Sequence, residues 1–247
     1  MQMKENTVLI TGGATGIGFA LAKSLTELGN RVIICGRRAE RLEEAKRKLP
    51  ALSVGQYDVS REQDRNAMYA WIGANFKETN VLINNAGIQR RVDFTKGMDD
   101  LLKSEDEIDV NLKAQVYLSA LFVPMLSKHK EAAIVNMSSG LGFVPLTVFP
   151  VYSATKAAIH SFTMSLRHQL RGTSVKVFEV IPPTVYDTEL KGKPIERAAW
   201  TASSSEVAEA VVKGMGEDTF EIPIGPSKKW ISSTRQELDQ IFSEINH

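Results

Sequence analysis

The sequence contains a single cysteine, Cys35, so neither an internal disulfide nor a multi-cysteine metal centre can be built from it, and a reducing compartment fits. It has almost no net charge: 30 Lys and Arg against 29 Asp and Glu leave a formal +1. That balance gives no electrostatic reason for nucleic acid or an anionic membrane as partner. Long apolar runs are missing too. The longest, Val116 to Leu126, is interrupted by Ser119 and Pro124, short of the roughly 18 residues a membrane span needs. The first apolar run, at 8–10, follows Glu5 and leads into glycines, so it does not read as a secretory signal. The histidines, His129, His160, His168 and His247, show no metal-ligand spacing. These absences predict a cytoplasmic protein with no metal.

What is present is ordinary for a globular chain: 43% hydrophobic and 24% charged residues over 247 positions. Short Val- and Ile-rich runs at 7–11, 31–35, 53–57, 81–84, 133–137, 175–181 and 220–223 alternate with helical patterns at 17–28, 39–49, 62–76, 104–128, 153–170 and 205–214. Most of the strand runs lack polar alternation, which suits a parallel sheet buried on both faces. The alternation predicts an α/β fold: a doubly wound (Rossmann), mostly parallel seven-stranded sheet with helices on both faces. No Pro/Gly/Ser-rich linker and no repeat divides the chain, so one domain over 1–247 is expected. Ligands of such sheets bind beyond the carboxyl ends of the strands, and the residues after each strand carry the functional reading.

After the first strand comes TGGATGIGFALA, with Gly12, Gly13, Gly16 and Gly18 around Thr15 and Ile17. Glycines there let the backbone approach a diphosphate, and the helix that opens near Ile17 turns its positive end toward it. The spacing is neither G-x-G-x-x-G nor a P-loop. After the second strand comes Gly36-Arg37-Arg38. An NAD site places an acid near this point for the ribose 2′-hydroxyl; glycine followed by Arg37 and Arg38 suits a 2′-phosphate instead. After the third, Asp58 and Val59 lead into Ser60, which is expected to cap the next helix and leave Asp58 for an adenine. After the fourth comes NNAG, with Asn85, Ala86 and Gly87 beside the expected cofactor cleft. After the fifth come Ser138 and Ser139. Farther on, VYSATKAAIH puts Tyr152 one helical turn ahead of Lys156. A cation on the same helix face favours a phenolate and would tune Tyr152 as a general acid. Alone the pair is a weak motif. Read alone, Ser139 could equally cap a turn and Asn111 could satisfy backbone in a helix bend.

Together these stretches resemble the compact, single-domain type of the short-chain dehydrogenase/reductase family over essentially the whole chain. The resemblance rests on TGGATGIG, NNAG, Asn111 in DVNLKA, Ser139, and Tyr152-x-x-x-Lys156, in the family's order, with Ser139 thirteen residues before Tyr152. The wording of NVLINNAGIQRRVDF, SSGLGFVP and IPPTVYDTEL is similar to a bacterial subgroup of oxidoreductases named after the D-alanyl-teichoic-acid operon, a name that describes gene neighbourhood. The resemblance implies that Tyr152 donates the proton, that Lys156 tunes it and holds the nicotinamide ribose, that Ser139 bonds the substrate oxygen, and that Asn111 anchors a water leading to solvent. It implies cofactor contacts at Pro182 and Val185, and helices at 104–128 and 153–170 that pair between subunits into a homodimer or homotetramer. Two departures stand out. Thr15 occupies a position where NADP-users often carry a base, and Pro182-Pro183 stands where many members have Pro-Gly.

The expectation is an oxidoreductase that prefers NADP(H), with NAD bound more weakly, and acts on a small carbonyl or secondary alcohol. A dinucleotide-binding sensor without turnover and an epimerase or dehydratase on the same fold are the rivals. The aperiodic segment 184–200, with Tyr186, Leu190, Gly192, Pro194 and Trp200, is expected to form a substrate lid over a pocket shared with Leu141, Phe143 and Phe149. Glu105-Asp106-Glu107 reads as a favourable first-turn charge cluster and Lys228-Lys229 as a solvated turn.

Overall fold

The structure, a computed structural model, describes residues 1–102, 106–190 and 194–246. In chain order its strands are β1 (Thr7–Thr11), β2 (Arg31–Gly36), β3 (Ser53–Gln56), β4 (Thr79–Asn84), β5 (Ala132–Met137), β6 (Val175–Ile181), β7 (Thr184–Val185), β8 (Thr201–Ala202) and β9 (Glu221–Pro223). The helices are α1 (Gly16–Glu27), α2 (Ala39–Lys48), α3 (Glu62–Asn75), α4 (Met98–Leu101), α5 (Ala114–Leu126), α6 (Pro150–Leu170), α7 (Ser204–Gly216), α8 (Ser227–Ser232) and α9 (Arg235–Ile245). Seven strands form one sheet in the order β3-β2-β1-β4-β5-β6-β9, and every pairing is parallel.

Side chains alternate across this sheet, so each β-rich run feeds two cores. Val8 and Ile10 of β1 pack with Leu21, Val207 and Val211 on one side. Leu9, between them, packs with Met68, Phe122 and Leu166 on the other. Burial on both faces is why the runs carry Val and Ile without polar alternation. The strand order reverses between β1 and β4, and the crevice at that switch point lies beyond their carboxyl ends.

Three expectations are corrected. The helix predicted at 104–128 is helical from 107 to 126 but not regular: one wide π-type turn at Asp109–Lys113 precedes α5 at Ala114–Leu126; Ser104 and Glu105 lie outside the described residues. Asn111, within that turn, binds a neighbouring segment through its side chain, as described below. Ser60 does not cap α3, whose N-cap is Arg61. Its N–H and Oγ–H both donate to Asp58 Oδ1, at 3.0 and 2.7 Å. Lys228-Lys229 belongs to α8 rather than to a turn. Among the described residues no helix is long and apolar enough to cross a membrane, and no group of three His, Cys, Asp or Glu side chains could hold a metal.

Candidate active site

The residues singled out after β1, β2, β3, β4, β5 and β6 converge on one cleft of about 870 Å³. At its floor, Gly12 has φ +64°, and a Cβ there would lie 2.9 Å from the Cα of Ala86. Gly16 also has positive φ. A Cβ on Gly18 would run into the Gly12 carbonyl. These positions need glycine because β1's turn, α1 and the β4 exit are pressed together. The turn is clamped from both sides. Gly12 N–H donates to the Cys35 carbonyl at 2.8 Å, and Asn85 Nδ2 donates to the Thr11 carbonyl at 2.9 Å. Thr11 Oγ1 in turn accepts the N–H groups of Asn85 and Ala86, both at 3.0 Å. The first turn of α1 holds no carboxylate, and among the described residues the Thr15 hydroxyl does not cap it. Its N–H groups therefore face the cleft as an anion site.

Thr15, Gly16, Ile17, Gly18, Arg37, Arg38, Asp58, Val59, Asn85, Ala86, Gly87, Pro182 and Val185 all line this cleft, with Gly12. Gly13 is a correction: it points away, and a Cβ there would overlap Ile34 in the core. Asp58 is only partly available, since Oδ1 holds Ser60 and its own N–H donates to Asp64 Oδ2 at 2.7 Å. Arg37, Arg38, Gln56, Asp58 and Arg61 line a polar extension at the β2 end.

At the other end of the cleft Ser139, Tyr152 and Lys156 meet. Pro150 opens α6 within its first turn, where a missing N–H costs nothing. Tyr152 and Lys156 then fall one turn apart, with Lys156 Nζ 5.4 Å from the centre of the Tyr152 ring. Lys156 Nζ donates to the Met137 carbonyl at 2.7 Å. The Ser139 hydroxyl lies near enough to Tyr152 to lower its proton affinity, and it accepts the Leu141 N–H at 3.1 Å. Of the two readings of Ser139, the structure shows the turn cap: its Oγ accepts at the start of the 140–142 turn.

Electrostatics in the free site differ from the sequence expectation. Burial dominates at Tyr152 and pushes its hydroxyl up to about 12, against the lowering effect of the Ser139 hydroxyl; the Glu107 carboxylate adds to the rise. Burial also brings the Lys156 ammonium down to about 8. Tyr152 is thus a neutral phenol at pH 7, and desolvation outweighs the cation one turn away.

Asn111 does not line the cleft. It is fully buried behind it, where Nδ2 donates to the Ile88 carbonyl and Oδ1 accepts the Ile88 N–H, both at 2.8 Å. Nδ2 also reaches Thr155 Oγ1 at 3.3 Å. It fixes the wall that follows NNAG against α6.

Several site residues escaped the sequence reading. Glu107, one of the acidic helix-start residues, is only 3% exposed. Its Oε1 accepts the Arg90 N–H at 3.1 Å, and burial raises its carboxyl to about 7. Trp230 of α8 and Ile245 of α9 join Leu141 and Trp200 in the apolar wall of the catalytic end. The T-x-x-E capping box at Thr234 and Glu237 was the available signal for α9. Arg41, Thr188 and Glu189 also line the cleft. Of the segment read as a lid, Gly192 lies outside the described residues; β7 and β8 tie its two ends together.

The profile of the family described as short chain dehydrogenase matches residues 6–198, and the chain belongs to that family. It is 49% identical over 249 residues to the uncharacterized oxidoreductase DltE of Bacillus subtilis (strain 168), covering all of this chain and 98% of that one. The NADP-dependent 3-hydroxy acid dehydrogenase YdfG of Escherichia coli (strain K12) is 34% identical over 188 residues, 74% of this chain and 73% of that one. Among solved structures, a short chain dehydrogenase from Burkholderia cenocepacia J2315 in complex with NADP superposes with TM-score 0.81 at 25% identity, covering 98% of this chain and 99% of that one. A short chain dehydrogenase/reductase from Burkholderia phymatum in complex with NAD gives TM-score 0.83 at 21% identity, covering 98% and 96%.

Proposed function

We propose that this short chain dehydrogenase is an NADP(H)-preferring oxidoreductase that interconverts a small carbonyl and the corresponding secondary alcohol, with Tyr152 as general acid and base. The observation that carries the reading is the single cleft, which has a diphosphate-sized anion site and a cluster of arginines at one end and Ser139, Tyr152 and Lys156 at the other. The cradle fits a dinucleotide: its glycines admit no Cβ, and the free N–H groups of α1 face it. When bound, the dinucleotide supplies or accepts the hydride.

The protein's own groups do the rest. Ser139 holds the substrate oxygen beside the Tyr152 hydroxyl. With its proton affinity raised to about 12, Tyr152 holds its proton at neutral pH and can give it to an oxygen that gains charge during reduction. In the reverse direction the Lys156 ammonium, anchored by the Met137 carbonyl at 2.7 Å, offsets the phenolate charge. Ser139, Tyr152 and Lys156 are accordingly assigned to catalysis, and Asn111, buried behind them on the Ile88 backbone and Thr155, is assigned to positioning that end of the cleft. Gly36-Arg37-Arg38 favours a cofactor with a 2′-phosphate, and the NADP named for two of the similar proteins supports that preference. NAD remains a weaker alternative. The apolar wall of Leu141, Trp200, Trp230 and Ile245 suits a small substrate with an apolar body. Purified protein should reduce members of an aldehyde and ketone panel with loss of NADPH absorbance, and Tyr152→Phe should abolish the signal. Unchanged turnover in that variant would overturn the assignment.

A further inference from the structure

The arginines at the 2′-phosphate end of the cleft already hold a carboxylate. Glu189 follows β7 in the segment that crosses the cleft. Arg41, in the first turn of α2, donates from NH2 to Glu189 Oε1 at 3.0 Å and to Oε2 at 3.2 Å. Arg38 NH1 lies 3.8 Å from the same carboxylate. The neighbouring Thr188 lies over the glycine turn, with its methyl 3.0 Å from where a Gly16 Cβ would be. Asp187 is engaged on the other side, accepting the Ser204 N–H and Oγ–H at 2.8 Å each. The strap is therefore pinned at α7 and, through Glu189, at α2, with Thr188 against Gly16 between them.

A carboxylate and a phosphate dianion recognise guanidinium groups by the same paired hydrogen bonds, so the two compete for Arg38 and Arg41. Resting on the NADP(H) reading above, we propose that Glu189 is a cofactor-specificity residue: an internal stand-in for the 2′-phosphate that latches the strap over the free cleft and is displaced by a 2′-phosphorylated dinucleotide. NADPH releases this latch; NADH, lacking the phosphate, leaves it in place. The carboxylate thereby lowers the preference that the arginines alone would give.

The test is calorimetric titration of wild type, Glu189→Gln, Arg41→Ala and the double variant with NADPH, NADH, 2′,5′-ADP and 5′-AMP. Glu189 is 42% exposed in its ion pairs, so the glutamine variant leaves the core untouched. For a surface ion pair the release should tighten NADPH and 2′,5′-ADP by about two- to fivefold and leave NADH and 5′-AMP unchanged. In the Arg41→Ala background the same substitution should have a much smaller effect, because the guanidinium that both anions share is gone. An equal change for phosphorylated and unphosphorylated ligands would make Glu189 a structural tie, and weaker NADPH binding would make it a support for the arginines. Either result overturns the proposal, as does no change at all. Wild-type protein that binds NADPH and NADH equally would instead defeat the NADP(H) preference, a separately recognisable outcome that removes the basis of this proposal with it.

Discussion

Glu107→Gln isolates a buried ionisable group whose charge is felt at Tyr152. Glu107 has its Oε1 on the Arg90 N–H, and burial raises its carboxyl from the ordinary 4.5 to about 7. A folded-state value above the unfolded one means that the folded protein binds more protons between those two pH values. The stability this group contributes is fully present below about pH 4.5 and is lost as pH rises through about 7. At 1.36 kcal/mol per pKa unit the interval amounts to about 3 kcal/mol, an upper figure because relaxation and water near the site soften it. Glutamine keeps the Oε1 acceptor and cannot ionise. The variant should therefore match wild type near pH 4 and exceed it by about 2–3 kcal/mol near pH 8.5. Urea denaturation of both proteins across this range reads the difference directly, and groups that titrate in both, such as Lys156 and His160, cancel. A stability difference that does not change with pH would refute the reasoning. Because the Glu107 carboxylate adds to the rise at Tyr152, the alkaline limb of the variant's pH–rate profile should also move down.

Tyr152→Phe should lower turnover by at least about 10²–10⁴-fold with NADPH affinity nearly intact, whereas Lys156→Ala should lose both, as single-turnover rates and cofactor titrations would show. Gly36→Asp with Arg37→Ala should reverse the NADPH preference by weakening NADPH about tenfold to a hundredfold. The backbone accepts the aspartate, since a Cβ on Gly36 meets only Leu42 Cδ2 at 3.8 Å, and equal dissociation constants for the two cofactors in wild type would defeat the role given to Arg37. Tyr117 on α5 and Met164 on α6 are 48% and 50% exposed, and we expect these helices to pair between subunits; a monomer by light scattering at micromolar concentration would contradict this.

The central strands β1, β2, β4, β5 and β6 were legible in the sequence because they are buried on both faces, which leaves short Val- and Ile-rich runs without polar alternation. The glycine turn and the Tyr152-x-x-x-Lys156 pair were legible for a different reason: backbone approach and helical spacing are local. What could not be read depended on distant segments. Glu107 follows Asp106 in an acidic run and looks solvated until the 88–91 wall folds over it. Glu189 meets Arg41 across 148 residues of sequence separation, and no pattern announces such a pair. The Tyr152 expectation had its sign reversed because spacing reports the Lys156 charge and says nothing of burial, which is the larger effect here. Ser60 was assigned to a cap on position alone, and the competing Asp58 acceptor two residues earlier took it instead.

The placement of Lys156 follows from where the sheet comes apart. The β4–β5 register ends at Asn84 and Asn136. Beyond that pair β4 turns toward Thr11, which takes the N–H groups of Asn85 and Ala86. On its other side β5 continues, with the Ser138 N–H on the Val180 carbonyl at 2.9 Å. The Met137 carbonyl is thus left beyond the β4–β5 ladder at the mouth of the crevice. A buried backbone oxygen needs a donor, and it receives Lys156 Nζ at 2.7 Å, with Gln115 Nε2 at 3.4 Å behind it. The separation of β4 from β5 therefore does two things at once. It opens the cleft that a ligand can enter, and it exposes the acceptor that aims a buried ammonium at Tyr152. A substitution that extended the β4–β5 ladder by one residue would narrow the crevice and take that acceptor from the lysine, so the placement of Lys156 depends on the strands parting at Asn84.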